Sequence, residues 1–276
     1  MKKKFTTVIS LALVAVMVLS STVFAASGDT CIALGQDLDK SETKTVLSYF
    51  GIDNLDDYDV IYITNKDEHK YLKDYVPEEQ IGTEALSSVM ITENDEDDID
   101  VEIYNINYCT EDMYENALET AGVTGADVIV AGPYSISGTA ALVGTIKAYE
   151  EMTGERVKDD VIEAAVEELT TTGDIGAEIG DKDGVAEIIS DIKDQLSSNP
   201  NMSEDEIIQA IKDAAARAGI SLSDANIEKI KNMFTKFKGL NINWSGLADK
   251  AKELANKAGQ SGIFDRFIAW IKSLIG

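Results

Sequence analysis

The stretch GADVIVAGPYSISGTAALVG, residues 125–144, decides the fold, because the chain changes its period inside it. Asp127 to Ala131 is a short apolar, β-branched run closed by Gly132-Pro133, and it reads as a buried strand. From Thr139 the residues are rich in Ala and Leu and lack alternation, so a helix over Thr139 to Met152 is predicted. The chain upstream follows the first pattern with helices interleaved, and the chain downstream follows only the second.

Upstream, Thr30 to Leu34 and Asp59 to Thr64 repeat the apolar β-branched signal. Between the strands, Ser41 to Phe50 ends at Gly51, Lys66 to Val76 stops before Pro77, and Thr110 to Ala121 stops at Gly122, which are helix boundaries. Ala85 to Thr92 and Ile99 to Tyr108 flank the polar residues 93–98 and predict a hairpin with an acidic tip. The order is about βαβαββαβ, an α+β arrangement with one mixed sheet. Downstream, Asp159 to Leu169, Gly184 to Leu196, Ile207 to Ala218 and Ser223 to Phe237 carry helical spacing, with a capping-box pattern at Ser203 to Glu206. The glycines from Gly173 to Gly180 read as a kinked helix junction, and no repeat period emerges. The expected organisation is a signal peptide over 1–25, a sheet domain over 26–137 and a helical domain over 138–276.

Export is the most specific local signal. Lys2, Lys3 and Lys4 precede an apolar run from Val8 to Leu19, and Val23-Phe24-Ala25 offers small residues for cleavage after Ala25. An uncleaved anchor over Phe5 to Ala25 is the alternative, but Thr6-Thr7 and Ser20 to Thr22 shorten its apolar part below a span of about 20 residues. A secreted or cell-envelope location is therefore expected. The 276-residue chain carries 50 acidic and 24 basic side chains, a net charge of −26; losing three lysines with the leader leaves 21 basic groups and −29. Such a surface excludes nucleic-acid phosphate as a partner. The 44% hydrophobic content is ordinary for a chain that buries a core.

In an oxidising compartment an even number of cysteines suggests pairing. Cys31 and Cys109 are the candidates, each at the edge of a strand-like segment, and a disulfide between them is expected to staple two strands, contributing on the order of 4 kcal/mol. Two unpaired thiols are the alternative.

Three strings carry a likeness to known proteins: ITNKDEHKYL at residues 63–72, SGTAALVGTIKAYE at 137–150 and ELTTTG at 168–173. With them the chain resembles the YpuA-like secreted proteins of Gram-positive bacteria, a domain-of-unknown-function family. The resemblance implies an exported or envelope-associated protein and transfers no catalytic residue.

The residues themselves offer little catalysis. His69 is the sole histidine, set in a charged helix where a surface role outweighs a nucleophilic pair with Cys109. No Gly-x-Ser-x-Gly occurs. Asp95, Asp97, Asp98 and Asp100 are the one candidate for an ion, Ca²⁺, although Ile99 and the missing glycine depart from an EF-hand loop and a solvated tip is the plainer reading. Near the C-terminus, Phe264, Phe267, Ile268, Trp270, Ile271 and Leu274 share one face of a short amphipathic helix over Ile263 to Ile275, which fits an envelope protein, a membrane surface or the protein's own core. These features favour a non-catalytic cell-envelope or extracellular binding protein, without cofactor; the alternative is a wall-directed hydrolase using a carboxylate pair.

Overall fold

Buried β-branched runs set five strands, and the connections between them set their directions. In the computed structural model, which describes residues 29–94, 98–240 and 242, β1 (Thr30–Gly35), β2 (Asp59–Ile63), β3 (Ser88–Glu93), β4 (Ile99–Ile106) and β5 (Ala126–Ile136) form one sheet. Its order is β2-β1-β3-β5-β4. β1 and β2 pair in parallel, as do β4 and β5, while β3 runs antiparallel to both its neighbours. Helix α1 (Lys40–Tyr49) joins β1 to β2, and α4 (Glu111–Ala121) joins β4 to β5, since parallel neighbours need a crossover rather than a tight turn. Between β2 and β3 lie α2 (Asn65–Leu72) and a single turn, α3 (Glu78–Ile81), that follows Pro77. This is the mixed-sheet α+β fold expected, with α3 added.

The hairpin expectation is corrected. β3 and β4 do not pair, because β5 lies between them and bonds to both. The reason is burial: Val128, Val130 and Ala131 of β5 are at most 1% exposed, so the last strand belongs inside the sheet, and Asp100 and Glu102 of β4 belong at its edge.

Five helices follow: α5 (Thr139–Thr153), α6 (Asp159–Ile179), α7 (Lys182–Ser198), α8 (Glu204–Ala218) and α9 (Asp224–Phe237). Ser203 caps α8 with Glu206 in the reciprocal box the sequence announces. The kinked junction is a second correction. α6 runs unbroken through Gly173 and Gly176 and ends at Gly180, which takes a left-handed φ of 82°. The two inner glycines serve close approach: a Cβ on Gly173 would meet the Tyr108 hydroxyl at 2.5 Å, and one on Gly176 the Lys182 Cα at 2.5 Å.

One face of the sheet is covered by α2, α4, α5 and the first half of α6, with Val89, Val128, Leu142, Ile146 and Leu169 in a continuous buried cluster. Each such side chain contributes about 1.5–3 kcal/mol. Strands give way to helices at residue 138, but packing continues across it, since α5 is part of the sheet's own core. A second core forms between the rest of α6 and α7, α8 and α9, around Ile175, Ile189, Ile211 and Phe234. Helix α6 thus serves both cores.

A buried ionic cluster ties them. Lys193 of α7 donates to the Asn116 carbonyl at 2.5 Å and lies 3.1 Å from Glu168 Oε1 and 3.2 Å from Glu119 Oε2. Thr120 donates to the other Glu168 oxygen, and Asn116 Nδ2 to the Ala186 carbonyl of α7. Burial works against the Lys193 charge, but the facing carboxylates outweigh it and raise its pKa.

Candidate functional site

Along a strand the side chains alternate between faces, so register fixes which residues share the second face of the sheet. Thr30, Thr92, Asp127 and Asp100 lie at one level, and Ile32, Met90, Ile129 and Glu102 at the next, two residues further along β1, β5 and β4. Among the described helices, α1 alone packs here, with Val46, Leu47 and Phe50 on Ile32, Leu34 and Ala131. It covers the carboxyl ends of β1 and β5. The amino-end half of the face is left as a groove of about 1610 Å³.

Among the described residues lining this groove ten are carboxylates and none is Lys, Arg or His. Asp29, Asp56, Asp57 and Asp59 stand at the β1/β2 side, Glu93 and Asp127 in the middle, and Asp100, Glu102, Glu111 and Glu115 around β4. The floor is apolar in part, through Phe50, Ile52, Met90 and Ile129. Polar floor groups are tied to one another: Thr30 and Thr92 hydroxyls lie 3.1 Å apart, and Asn94 Nδ2 donates to Asp127 Oδ1 at 2.8 Å. Beside the groove, Tyr104 stacks on Tyr49 with ring centroids 4.8 Å apart and donates to Glu102 Oε2 at 2.8 Å. That bond and the Glu102 charge raise the Tyr104 phenol. A bulge fixes this corner. Asn105 sits at φ 58°, and its side chain donates to the Gly132 carbonyl and the Tyr49 hydroxyl.

A smaller cavity of about 250 Å³ opens beyond the carboxyl ends of β4 and β5 and is lined by Tyr75, Pro77, Gln80, Tyr108, Ser137, Thr139, Thr170 and Asp174 among others. Tyr108 donates to Asp174 Oδ1 at 2.7 Å, and burial followed by that carboxylate raises its phenol. Two of the three strings that carry the family likeness meet here, through Ser137 and Thr139 on one side and Thr170 on the other.

Cys31 and Cys109 are free and buried. Cys31 opens β1, Cys109 follows the far end of β4, and three strand spacings of about 4.8 Å separate those strands, beyond the Cα separation of about 7 Å that a disulfide tolerates. Burial raises the Cys31 thiol to about 11 and the Cys109 thiol to about 12, so neither is poised as a nucleophile. His69 is half-buried, its Nε2 3.1 Å from the Gly82 carbonyl, and holds the loop before β3.

Asp98 and Asp100 sit at the start of β4, where the Asp98 carbonyl accepts from Ala126 N; Asp95 and Asp97 lie outside the described residues. Among the described residues no acidic, histidine or cysteine cluster has metal-binding geometry. Phe264, Phe267, Ile268, Trp270, Ile271 and Leu274 also lie outside the described residues, as does the signal peptide expected over residues 1–25. No described helix is long and apolar enough to cross a membrane. Two carboxyls are raised to about 7 by burial: Glu68, opposed by its hydrogen bond from Asn65, and Asp194, helped by the charges of Glu119 and Asp191. Neither lines the groove or the smaller cavity.

The groove is absent from the sequence reading, although its signal is there. In Ile99-Asp-Val-Glu-Ile-Tyr104 and at Asp127, acidic residues alternate with buried ones, which marks a strand face open to water.

Comparison with known proteins agrees with the resemblance read from the three strings. The family described as "Protein of unknown function (DUF1002)" matches residues 34–254. The chain is 38% identical over 250 residues to "Uncharacterized protein YpuA" of Bacillus subtilis (strain 168), covering 88% of this chain and 85% of that protein. No solved structure matches. With β2 to β5 and all the described helices inside the matched span, the chain belongs to the DUF1002 family of proteins of unknown function.

Proposed function

We propose that this is an exported, non-catalytic binding protein whose open sheet face takes a cationic ligand outside the cytoplasmic membrane. The observation that carries the reading is the groove itself: ten carboxylates and no basic side chain around a partly apolar floor. Walls of one charge sign concentrate counter-charged ligands and speed their capture. The leader sequence supports placing that capture outside the cell. Binding is preferred to the wall-directed hydrolase because the carboxyls raised toward neutrality, Glu68 and Asp194, line neither cavity, whereas a glycosidic acid must face its substrate.

Titration calorimetry of the purified protein with pentalysine at low and high salt tests the reading. Binding is expected at low salt, weakening as added salt screens exposed charges beyond about 10 Å, and weaker still in the Asp100→Asn/Glu102→Gln/Asp127→Asn variant. Absence of binding at low salt, or equal binding by the variant, would sink it.

A further inference from the structure

Resting on the groove reading, we propose that the occupant is an extended polypeptide segment of a partner protein, with Lys or Arg at alternate positions, which adds to the outer edge of β4 as a sixth strand. β4 ends the sheet and is eight residues long, so its outer side presents a row of N–H and C=O groups that no other described strand meets. That edge runs along the groove, with Asp100 and Glu102 on the open face beside it.

On the other face stands α4, whose Glu111 also lines the groove and lies near enough to Tyr104 to act on its phenol. An incoming strand points successive side chains to opposite faces about every 3.4 Å, so both of its faces would meet carboxylates. A cationic residue at alternate positions satisfies either side, and backbone pairing supplies the rest of the affinity. The opposite edge is less suited: β2 has five residues and contributes Asp59 alone to the groove lining. A second copy of this chain is disfavoured as occupant, because pairing β4 with β4 would set Asp100 and Glu102 against their own equivalents in a protein of net charge −26.

The test uses the full protein and three probes: a capped eight-residue peptide alternating Lys and Val, the same peptide with every backbone amide N-methylated, and pentalysine. Fluorescence anisotropy at low salt should show the alternating peptide binding, N-methylation weakening it at least tenfold, and Asp100→Lys/Glu102→Lys in the protein weakening it by a similar factor. Circular dichroism confirms that this variant folds, and Asp100→Asn/Glu102→Gln replaces it if it does not. Equal binding by the N-methylated peptide would overturn strand addition and leave the groove reading standing. Failure of all three probes, pentalysine included, would overturn both.

Discussion

Replacing Lys193 by Met tests whether the buried ionic cluster holds the two cores together. Lys193 is 1% exposed and Glu168 is fully buried, so the change deletes three contacts at once, to the Asn116 carbonyl, Glu168 and Glu119. Glu168 then keeps Thr120 as its hydrogen-bond partner and has no facing cation. Breaking a buried pair from one side costs about 3–5 kcal/mol, mostly the penalty on the charge left behind. In the variant that charge is shed by protonation, so the Glu168 pKa in the folded state rises far above its unfolded value of about 4.3. A carboxyl raised on folding binds more protons in the native state, and stability falls as pH climbs from the unfolded pKa through the folded one.

Urea denaturation followed by circular dichroism should therefore show Lys193→Met losing about 3–5 kcal/mol at pH 7.5 and clearly less at pH 5. The double variant Lys193→Met/Glu168→Leu should recover most of the loss, because an apolar replacement of a whole buried pair is often neutral. A loss below about 1 kcal/mol at pH 7.5, or a double variant as unstable as the single, would refute the reasoning.

Three further outcomes are expected. In the native protein Glu68 and Asp194, both raised to about 7 by burial, make stability fall as pH rises from about 4.5 to 7; Glu68→Gln/Asp194→Asn should flatten that slope in urea titrations across the window, and an unchanged slope would count against it. Cys31 and Cys109 should both fail to react with a thiol reagent at pH 8 in the folded protein and both react in denaturant; a mass two daltons short in the purified protein would show instead that they pair. Asn105, at φ 58° with two side-chain hydrogen bonds, should lose about 1–2 kcal/mol on change to Ala and less to Gly, measured by thermal unfolding; a larger loss for Gly would mean the side chain, not the backbone, decides.

Strands, helices and their order were legible because each element carries its own signal: Asp127 to Ala131 as an apolar β-branched run, Ser203 to Glu206 as a cap, Gly51 and Gly122 as stops. Pairing was not. Nothing in Ile91 or Val101 says which strand will lie beside it, and the short polar link at 93–98 suggested a hairpin where the chain instead leaves room for β5. Which of two apolar strands takes the interior depends on burial of both its faces, a property of the assembled sheet. The same limit hid the cysteine separation, since two strand-edge residues look adjacent until the strand order is known. It also hid the Glu168–Lys193 pair, whose members are 25 residues apart on different helices and read in sequence as ordinary surface charges.

One pattern in the sequence does bear on function, and its force comes from the topology. Parallel strands are ordinarily covered on both faces, because the crossovers that join them bring helices to each side. β4 and β5 are parallel neighbours, yet their shared second face carries Asp100, Glu102 and Asp127 at the amino end, with the first two exposed beside Val101 and Ile103 that are not. The crossover helix α4 goes to the first face, and α1 reaches only the carboxyl end of the second. A parallel pair that no described helix covers at this end loses the burial that usually stabilises it. The carboxylates keep the bare face solvated and keep other copies away, which explains an acidic edge. Solvation alone would be served equally by lysines, and the groove has none. Under the proposed reading the uniform sign gives this sheet face its preference among partners, and it makes the sign of the ligand's charge the property to vary first.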